Sequence, residues 1–402
     1  MIMESFDCIV IGGGPAGATA ANDLACAGYR VALMDKSGRI KPCGGAIPPR
    51  AIEMFGIDPS QLVAKIRRAR MISPKGQRVD IPIDGGYVGM VDREHFDEYL
   101  RVRAQGNGAT RLTGTFNRLE RDNEGCIVHY RPKAAGHDGG TARVRARFVI
   151  GADGARSNVA RQEVPGGDTI PYVIAYHEIV RSPDTHHIDG FEPDRCDVYY
   201  DGRISPDFYG WVFPHGDQTS VGMGTEISEI SVKQATADLR DISGLTDSET
   251  IRREGAPIPL KPLDKWDNGS DVVLAGDAAG VVAPSSGEGI FYAMYGGRCA
   301  ADAVAEALVA RTDTASARAL GLARKRFLRQ HGGVFWILRK MQDYWYINDN
   351  RRERFVAICR DKDVQELTFD AYMNKELVKA KPLAHVRIFF KNIAHLTGLA
   401  PV

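Results

Sequence analysis

The sequence lacks the features of a secreted or membrane-spanning protein. Its 402 residues include seven cysteines, but no two of them form a CxxC pair, and closely spaced pairs are typical of redox and zinc sites. The N-terminus enters an apolar strand pattern without the regions of a signal peptide. No window approaches the roughly 18 consecutive apolar residues of a membrane-spanning helix. We therefore expect a cytoplasmic protein whose thiols are reduced.

The charge is balanced overall but unevenly distributed along the chain. The formal net charge is +1, yet the residues from Arg311 onward carry 18 lysines and arginines against 9 aspartates and glutamates. No recognition motif or interleaving of aromatic and basic residues accompanies this segment, so we expect no nucleic-acid partner. An anionic membrane surface is the better match to its charge.

The histidines do not predict a metal site. His177 lies in a strand pattern, whereas His186 and His187 lie in a loop with Asp184 and Asp189 nearby. No closing set of ligands surrounds them in the sequence, so we expect no metal.

A glycine-rich turn follows the first apolar strand pattern, residues 6–11. In it, Gly12 permits a tight turn, Gly14 lets the backbone approach a pyrophosphate, and Gly17 allows close packing of the following helix. A second strand ends at Asp35, which is placed to accept the ribose hydroxyls. Proline after the glycine run resembles the FAD version of this fingerprint. The cofactor contacts expected from this segment are Gly12, Gly14, Pro15, Ala16, Gly17, Asp35 and Lys36.

Two later segments strengthen the prediction of a flavin site. Residues 151–157 (GADGARS) and 272–280 (VVLAGDAAG) each follow an apolar strand pattern. They resemble the DG and GD motifs of the aromatic-hydroxylase-like flavoprotein superfamily, in which the second motif places its acid, in this chain Asp277, on the ribityl chain. The helix that opens near Gly287, Gly289 and Ile290 would direct its N-terminal amides at the flavin ring. Taken singly, each motif could be an ordinary tight turn.

Arg93 stands at the start of a predicted helix. It resembles the arginine of the same superfamily that contacts the cofactor, although a solvated arginine fits the pattern equally well.

The segment from Lys41 to Ala46 (KPCGGA) places a thiol where flavoproteins of this layout bring the chain past the isoalloxazine ring. Adjacent glycines let a backbone approach a flat ligand, because no Cβ intervenes. The predicted flavin contacts are Cys43, Gly44, Gly45 and Ala46. A loop with a buried cysteine is the alternative.

Between residues 161 and 265 the pattern changes to short alternating strands separated by turn residues, which predicts an antiparallel sheet. Within it, Tyr209, Trp211 and Phe213 alternate along one strand and therefore share one face. Such a face is usually core, but it could also line a substrate groove. The substrate contacts expected from this sheet are Tyr209, Trp211, Phe213, Pro214 and Gly222.

The YxWxFP block with its following GxG, and the KPCGG loop, resemble the signatures of the geranylgeranyl reductase family. The tail at residues 354–365 and 367–372 resembles the chlorophyll and bacteriochlorophyll branch, so the resemblance covers nearly the whole chain. It implies saturation of three double bonds of a geranylgeranyl group, esterified to the pigment or as the diphosphate, to give phytyl. FAD is the implied cofactor, with NADPH or reduced ferredoxin as donor. The implied partners include a membrane surface and a chlorophyll synthase or an electron-donor protein, and the implied location is peripheral on the photosynthetic inner membrane.

Reducing an isolated alkene requires a proton source or stabilisation of a cation-like transition state. Cys43 is the candidate acid, because a thiol is mostly protonated at neutral pH, although it could merely pack against the ring. Three rivals stay open: an aromatic-ring hydroxylase, an archaeal-type isoprenoid-lipid reductase, and a flavin-containing pigment-binding or assembly protein without turnover.

The expected architecture is α/β, with a Rossmann-like FAD-binding domain, an inserted antiparallel substrate domain and a helical C-terminal region. Apolar and basic residues at helical spacing predict helices between Ala315 and Met341. The cationic stretch from Val386 to Ile393 could be an interfacial anchor or a solvated helix face. The expected boundaries are 1–75, 90–160 and 265–310 for the FAD-binding domain, 76–89 and 161–264 for the substrate domain, and 311–402 for the C-terminal region.

Overall fold

The computed structural model describes residues 3–365, apart from positions 37, 39, 84–85, 136–139 and 185–189, together with residues 373 and 375. The chain divides into two units. The first comprises Met1–Lys41, Arg93–Tyr172 and Ile258–Gly332; the second comprises Pro42–Asp92, Val173–Pro257 and Gly333–Val402.

Strands and helices are numbered in chain order. The strands are β1 (Ser5–Ile11), β2 (Val31–Asp35), β3 (Ala46–Ile47), β4 (Ala64–Ile66), β5 (Arg68–Ile72), β6 (Arg78–Pro82), β7 (Val88–Met90), β8 (Thr110–Asp122), β9 (Gly125–Pro132), β10 (Ala142–Gly151), β11 (Tyr172–Arg181), β12 (Arg195–Tyr199), β13 (Gly210–His215), β14 (Gln218–Thr225), β15 (Thr250–Pro259) and β16 (Val272–Leu274). The α-helices are α1 (Pro15–Cys26), α2 (Pro49–Phe55), α3 (Arg93–Gly106), α4 (Asn158–Glu163), α5 (Val232–Ile242), α6 (Ile290–Val309), α7 (Asp313–Leu320), α8 (Leu322–Trp345) and α9 (Asp349–Ile358). Short 3-10 helices span Pro59–Gln61, Lys133–Ala135 and Gly276–Ala279.

A largely parallel sheet forms the centre of the first unit. β1 lies between β2 and β10, β8 borders β2, and β16 borders β10, all in parallel pairs. β9 pairs antiparallel with β8 and with the first half of β10. The apolar runs of these strands are buried, as expected for parallel strands covered on both faces. The register aligns Ile11 with both Met34 and Gly151, so the carboxyl ends of the strands meet at one edge.

The second unit contains an antiparallel sheet with two different faces. Its strand order in the described residues is β15-β11-β14-β13-β12-β5-β6, with β12 and β5 parallel. One face packs on α5, where Val212, Val221 and Met223 meet Ala235 and Leu239 in a buried cluster. Side chains alternate along a strand, so the residues next to each of these three in β13 and β14 lie on the opposite face of the sheet. The predicted α/β class with an antiparallel second sheet is thus confirmed.

Helix α5 was not anticipated from the sequence, which reads there as a series of short strands. The Ser231 side chain accepts a hydrogen bond from the backbone of Gln234 and caps the helix. Ala235 and Leu239 then lie one turn apart, on the face that the sheet buries. Helical spacing within this segment was the available signal.

The observed units differ from the expected boundaries at several places, and most of all at residues 42–75 and in the C-terminal region. Residues 42–75, expected with the FAD-binding domain, belong to the second unit, because β3 and β4 pair with β7 and because β5 extends the antiparallel sheet. The described residues from Gly333 onward also belong to that unit.

Helix α9 is held within the second unit by specific bonds. The guanidinium of Arg352 donates to the carbonyl of Pro206, and the backbone of Gly202 donates to Asp349. Helices α7 and α8 lie where the periodicity predicted them, whereas the stretch from Val386 to Ile393 lies outside the described residues. In the part of the chain that the structure describes, no helix is long and apolar enough to cross a membrane.

Candidate functional site

The glycine-rich turn after β1 is defined by close backbone approaches. Gly12 has φ of +108°, and a Cβ there would lie 2.2 Å from the carbonyl oxygen of Ala152. A Cβ on Gly17 would lie 1.8 Å from the carbonyl oxygen of Gly12. Both positions therefore require glycine, one to turn and one to pack α1 against the strand.

Gly14 differs from its neighbours because it faces open space. No described atom lies within 4 Å of the position its Cβ would occupy. It is the N-cap residue of α1, and no described side chain caps that helix, whose first residue is Pro15. An open approach beside uncapped helix amides fits the pyrophosphate of a dinucleotide.

Asp35 closes the turn from the end of β2. Its Oδ2 accepts a hydrogen bond from the backbone N–H of Gly13 at 2.9 Å. Arg101 of α3 donates to the carbonyl of Gly13 and lies 4.0 Å from Oδ1 of Asp35. The predicted ribose acid thus also fixes the turn, and Arg101 is a neighbour that sequence reasoning missed. Lys36, expected to contact the cofactor, is exposed.

The DG motif after β10 has a structural use. Asp153 accepts bonds from the Ser157 hydroxyl and from the backbone N–H of Asn158 and Val159, at the start of α4. Burial raises the pKa of its carboxyl group, although these bonds favour the charged form. Ala152, just before it, is the residue that meets Gly12.

The GD motif lies at the same sheet edge. Gly276 has φ of +64°, and its Cβ would meet the Ala16 side chain at 2.6 Å, so the motif packs on the start of α1. The carboxylate of Asp277 is buried and forms an ion pair with the ammonium group of Lys41. A Cβ on Gly289 would lie 4.0 Å from Asp277 Oδ1. The start of α6 and the acid are therefore neighbours, as the flavin prediction requires.

Helix α6 begins at Ile290 after a turn in which Gly287 has φ of +62°. Oε1 of Glu288 accepts the backbone N–H of Phe291 at 2.9 Å, which orients the first turn. Farther along α6, a Cβ on Gly297 would lie 2.2 Å from the carbonyl oxygen of Ala16. The helices that carry the two predicted cofactor motifs are thus in direct contact.

Arg93 is buried at the first position of α3. Its guanidinium makes two bonds of 2.8 Å with the carboxylate of Asp97. The arrangement excludes the solvated arginine considered from the sequence, while the cofactor contact stays a prediction.

The KPCGG loop, in the second unit from Pro42 onward, packs directly on the aromatic strand. A Cβ on Gly44 would lie 3.1 Å from the ring of Phe213, so glycine allows the close approach. Gly45 has φ of +71°, and its N–H donates to the sulphur of Cys43 at 3.4 Å. The carbonyl of Gly45 accepts a bond from Val91 at 2.9 Å. The thiol loop and the predicted substrate strand therefore form one structural site.

His215 belongs to this site although sequence reasoning did not select it. Its Nε2 lies 2.5 Å from the position of a Cβ on Gly45, and its Nδ1 lies 2.9 Å from the carbonyl oxygen of Phe213. Burial lowers the pKa of the imidazole, although the carbonyl of Phe213 opposes the change. Its place two residues after Phe213, on the same strand face, was the signal available.

The aromatic side chains share a face as predicted. Trp211 lies between Tyr209 and Phe213, with ring centroids 6.1 Å and 6.3 Å away. Tyr209 and Trp211 are buried and Phe213 is partly buried. Gly222 lies directly opposite Trp211 on β14, and a Cβ there would lie 2.6 Å from the indole. The GxG element thus provides the space into which the indole packs.

Cys43 also differs in exposure from the other thiols. Cys26 is exposed and Cys43 is half-buried, whereas the remaining five are buried. Cys43 is thus partly accessible and precedes Gly44, which packs on Phe213. His186 and His187 lie outside the described residues, and within the described part of the chain no group of three or more metal-ligating side chains is found.

Comparisons with known proteins agree with this geometry. A family described as FAD binding domain matches residues 5–170. A geranylgeranyl diphosphate reductase of Rhodobacter capsulatus is 59% identical over 98% of this chain and 98% of its own. A chloroplastic geranylgeranyl diphosphate reductase of Oryza sativa is 38% identical, covering 96% of this chain and 85% of its own.

A solved structure also resembles the fold. A geranylgeranyl bacteriochlorophyll reductase-like protein from Thermoplasma acidophilum superimposes with a TM-score of 0.80 at 22% identity, covering 95% of this chain and 100% of its own. The family resemblance drawn from the motifs, and the prediction that the chain binds FAD, are confirmed.

We predict that Gly14→Ala impairs cofactor retention without unfolding the protein. The new methyl group meets no described atom, but it stands where the pyrophosphate approaches, so FAD affinity should fall by at least about tenfold. FAD titration and thermal unfolding of the apoprotein measure the two effects. Gly106→Ala, at the end of α3 and also facing open space, is the control, and equal FAD affinity in the two variants would contradict the prediction.

Proposed function

Because the chain belongs to the geranylgeranyl reductase family, we propose that it is an FAD-dependent enzyme that saturates three double bonds of a geranylgeranyl group to give phytyl, in the synthesis of chlorophyll or bacteriochlorophyll. The observation that carries the proposal is the packing of the thiol loop on the aromatic strand, where Gly44 meets Phe213. The substrate is the geranylgeranylated pigment or geranylgeranyl diphosphate.

The residues of the first unit would hold the cofactor. The turn at Gly12, Gly14 and Gly17 receives the pyrophosphate, Asp35 the ribose, and Asp277 the ribityl chain. Arg93, fixed by Asp97, would contribute a positive charge. When bound and reduced, FAD supplies a hydride.

The aromatic strand would hold the isoprenoid chain, and the thiol loop would supply the proton. Tyr209, Trp211 and Phe213 offer a continuous aromatic face to an isoprenoid, and their ring faces can also stabilise developing positive charge. Sγ of Cys43 would hold the proton that one alkene carbon takes up while the other carbon accepts the hydride. The thiol then regains a proton from solvent. In the alternative role, Cys43 would only pack its small side chain against the flavin ring.

We further propose that NADPH is the electron donor. The described fold contains one glycine-rich dinucleotide turn, after β1, so NADPH would reach the flavin without a nucleotide-binding domain of its own. Reduced ferredoxin is the other donor that the same arrangement allows, and anaerobic flavin bleaching by each donor distinguishes them.

The proposed substrate is apolar and would reside in a membrane. The part of α8 that lies in the second unit would contact that membrane. Trp336 and Ile337 are adjacent and 65% and 37% exposed, and Lys340 is exposed one turn later. An exposed indole, an aliphatic side chain and an ammonium group on one helix face fit an anionic lipid interface. We therefore propose a peripheral location on the photosynthetic membrane.

An anaerobic product assay tests the function. Purified holoprotein with dithionite-reduced flavin would receive geranylgeranylated pigment and, separately, geranylgeranyl diphosphate. We expect stepwise gains of two hydrogens, up to six, in the mass of one or both. In parallel assays, hydroxylation of an added phenol under air would favour the hydroxylase, and anaerobic reduction of an archaeal-type diether lipid alone would favour the isoprenoid-lipid reductase. No turnover with any substrate would favour the pigment-binding protein.

Cys43→Ala and Cys43→Ser test the proton donor in the same assay. Both variants should retain FAD, and turnover should fall about 100-fold, the usual contribution of a general acid. Cys26→Ser, at an exposed thiol, is the control and should keep full turnover. Full turnover in both Cys43 variants would leave this cysteine only the packing role.

Trp336→Ser tests the membrane surface. Co-sedimentation with vesicles containing anionic lipid should fall about tenfold, because burial of one indole contributes more than about 1 kcal/mol. Val309→Ser, at an exposed apolar side chain of 70% exposure at the end of α6, should bind as the parent does. Unchanged binding of Trp336→Ser would remove α8 from the interface.

A further inference from the structure

A buried line of hydrogen bonds ends at the indole of Trp211. Nε1 of Trp211 donates to Oγ of Ser220 at 3.0 Å. That oxygen lies 2.8 Å from Nδ1 of His177, whose Nε2 lies 3.0 Å from Oε2 of Glu254. We call Ser220, His177 and Glu254 the indole relay. Neither the comparisons nor the motifs assign a role to these three residues.

The direction of each bond follows from the chemistry of its ends. An indole N–H can only donate, so the Ser220 oxygen accepts from it. The hydroxyl hydrogen of Ser220 is then available to Nδ1 of His177, which leaves the ring hydrogen on Nε2 to bond the carboxylate. With the hydrogens so placed, each bond has one donor and one acceptor.

The carboxylate end of the relay is held charged. Arg252 forms an ion pair with Oε1 of Glu254 at 2.9 Å. Burial would raise the pKa of Glu254, but the bond from His177 and the charge of Arg252 outweigh it, and the pKa is lowered. Asp92 lies 3.9 Å from Arg252 on the other side. A charged Glu254 in turn stabilises the Nε2–H form of His177.

The order serine, histidine, carboxylate is also that of an acyl-transfer triad, but the surroundings exclude that use. Ser220 is fully buried, and His177 is 2% exposed. The Ser220 oxygen already accepts the Trp211 bond, and no substrate carbonyl could reach it. The relay therefore acts on Trp211, not as a nucleophilic centre.

Strand register explains why the relay meets the indole. Trp211, Gly222 and His177 are aligned across β13, β14 and β11. A Cβ on Gly222 would lie 2.4 Å from the His177 side chain and 2.6 Å from the indole. The two rings thus approach each other over the glycine, with centroids 6.2 Å apart, and Ser220, two residues before Gly222 on the same face, joins them.

We propose that the indole relay is a positioning device for the substrate wall: Glu254, His177 and Ser220 fix the rotation of the Trp211 ring, so that its apolar face is presented to the isoprenoid chain. The inference rests on the proposed function of the aromatic strand. The indole is held by its N–H bond and packs in the space over Gly222, so the ring has one orientation before the substrate binds. Little side-chain entropy is therefore lost on binding.

A double-mutant cycle separates positioning from general stability. Ser220→Ala removes the acceptor, and Trp211→Phe removes the donor. We expect Ser220→Ala to raise KM for the geranylgeranyl substrate about tenfold with kcat within about twofold, because binding is lost and not chemistry. In the Trp211→Phe background the same substitution should change KM by less than about twofold, because the bond that it acts through is already gone.

A spectroscopic readout keeps the test independent of turnover. The near-UV circular dichroism band that Trp211→Phe removes should also weaken in Ser220→Ala and in His177→Phe, whether or not any geranylgeranyl substrate is reduced. Ser73→Ala removes a buried serine from the β5–β6 turn, where it accepts the backbone of Gln77, and should leave both KM and the band unchanged.

Each outcome of these measurements either supports or contradicts the proposed relay. Additive effects of Ser220→Ala and Trp211→Phe on KM, or an unchanged Trp211 band in both Ser220→Ala and His177→Phe, would overturn the relay. If Ser220→Ala does not fold, His177→Phe carries the cycle. A protein that keeps the band shift but reduces no geranylgeranyl substrate would refute the proposed function and leave the relay standing.

Discussion

The close approach of Gly12 to Ala152 is the constraint on which the first unit depends. Because these two backbones nearly touch, the ends of β1 and β10 meet at one edge of the sheet. Gly17 brings α1 onto the same turn, and Gly276 and Gly297 pack the GD motif and α6 on Ala16. The predicted cofactor site is thus a junction of backbones, in which we expect side chains to contribute mainly at Asp35 and Asp277.

The two faces of the antiparallel sheet in the second unit differ in the side chains that they bury. The face toward α5 buries valine, methionine and leucine side chains, and also the ion pair of Glu178 with Arg240 of α5. The other face combines aromatic rings with buried polar groups, which are costly unless each is bonded. The relay satisfies that condition for Trp211, Ser220 and His177. A polar network inside an aromatic face restricts ring rotation more than hydrophobic packing alone can, because hydrogen bonds are directional.

Much of the fold and of the candidate site could be predicted from the sequence. The features that could not be predicted share one cause. The glycine fingerprint, the GD motif and the shared face of Tyr209, Trp211 and Phe213 are local patterns, so their spacing was enough. Lys41 pairs with Asp277, and His177 bonds to Glu254. These residues are far apart in the chain, so no local sequence pattern predicts their contact. The boundary near residue 42 was missed for the same reason, since β5 pairs not only with its neighbour β6 but also with the distant β12.

Gly222 has a consequence for how such sequences can vary. Its missing side chain is the space that the Trp211 indole and the His177 side chain occupy from either side, so the three positions, on three strands, share one volume. A Cβ at 222 would also lie 2.5 Å from the backbone carbonyl oxygen of Tyr176, so a smaller side chain at 211 or 177 would not by itself make room for it. Among relatives that keep this strand pairing, position 222 should therefore stay glycine whatever stands at 211, because the strand spacing itself leaves no room for a Cβ.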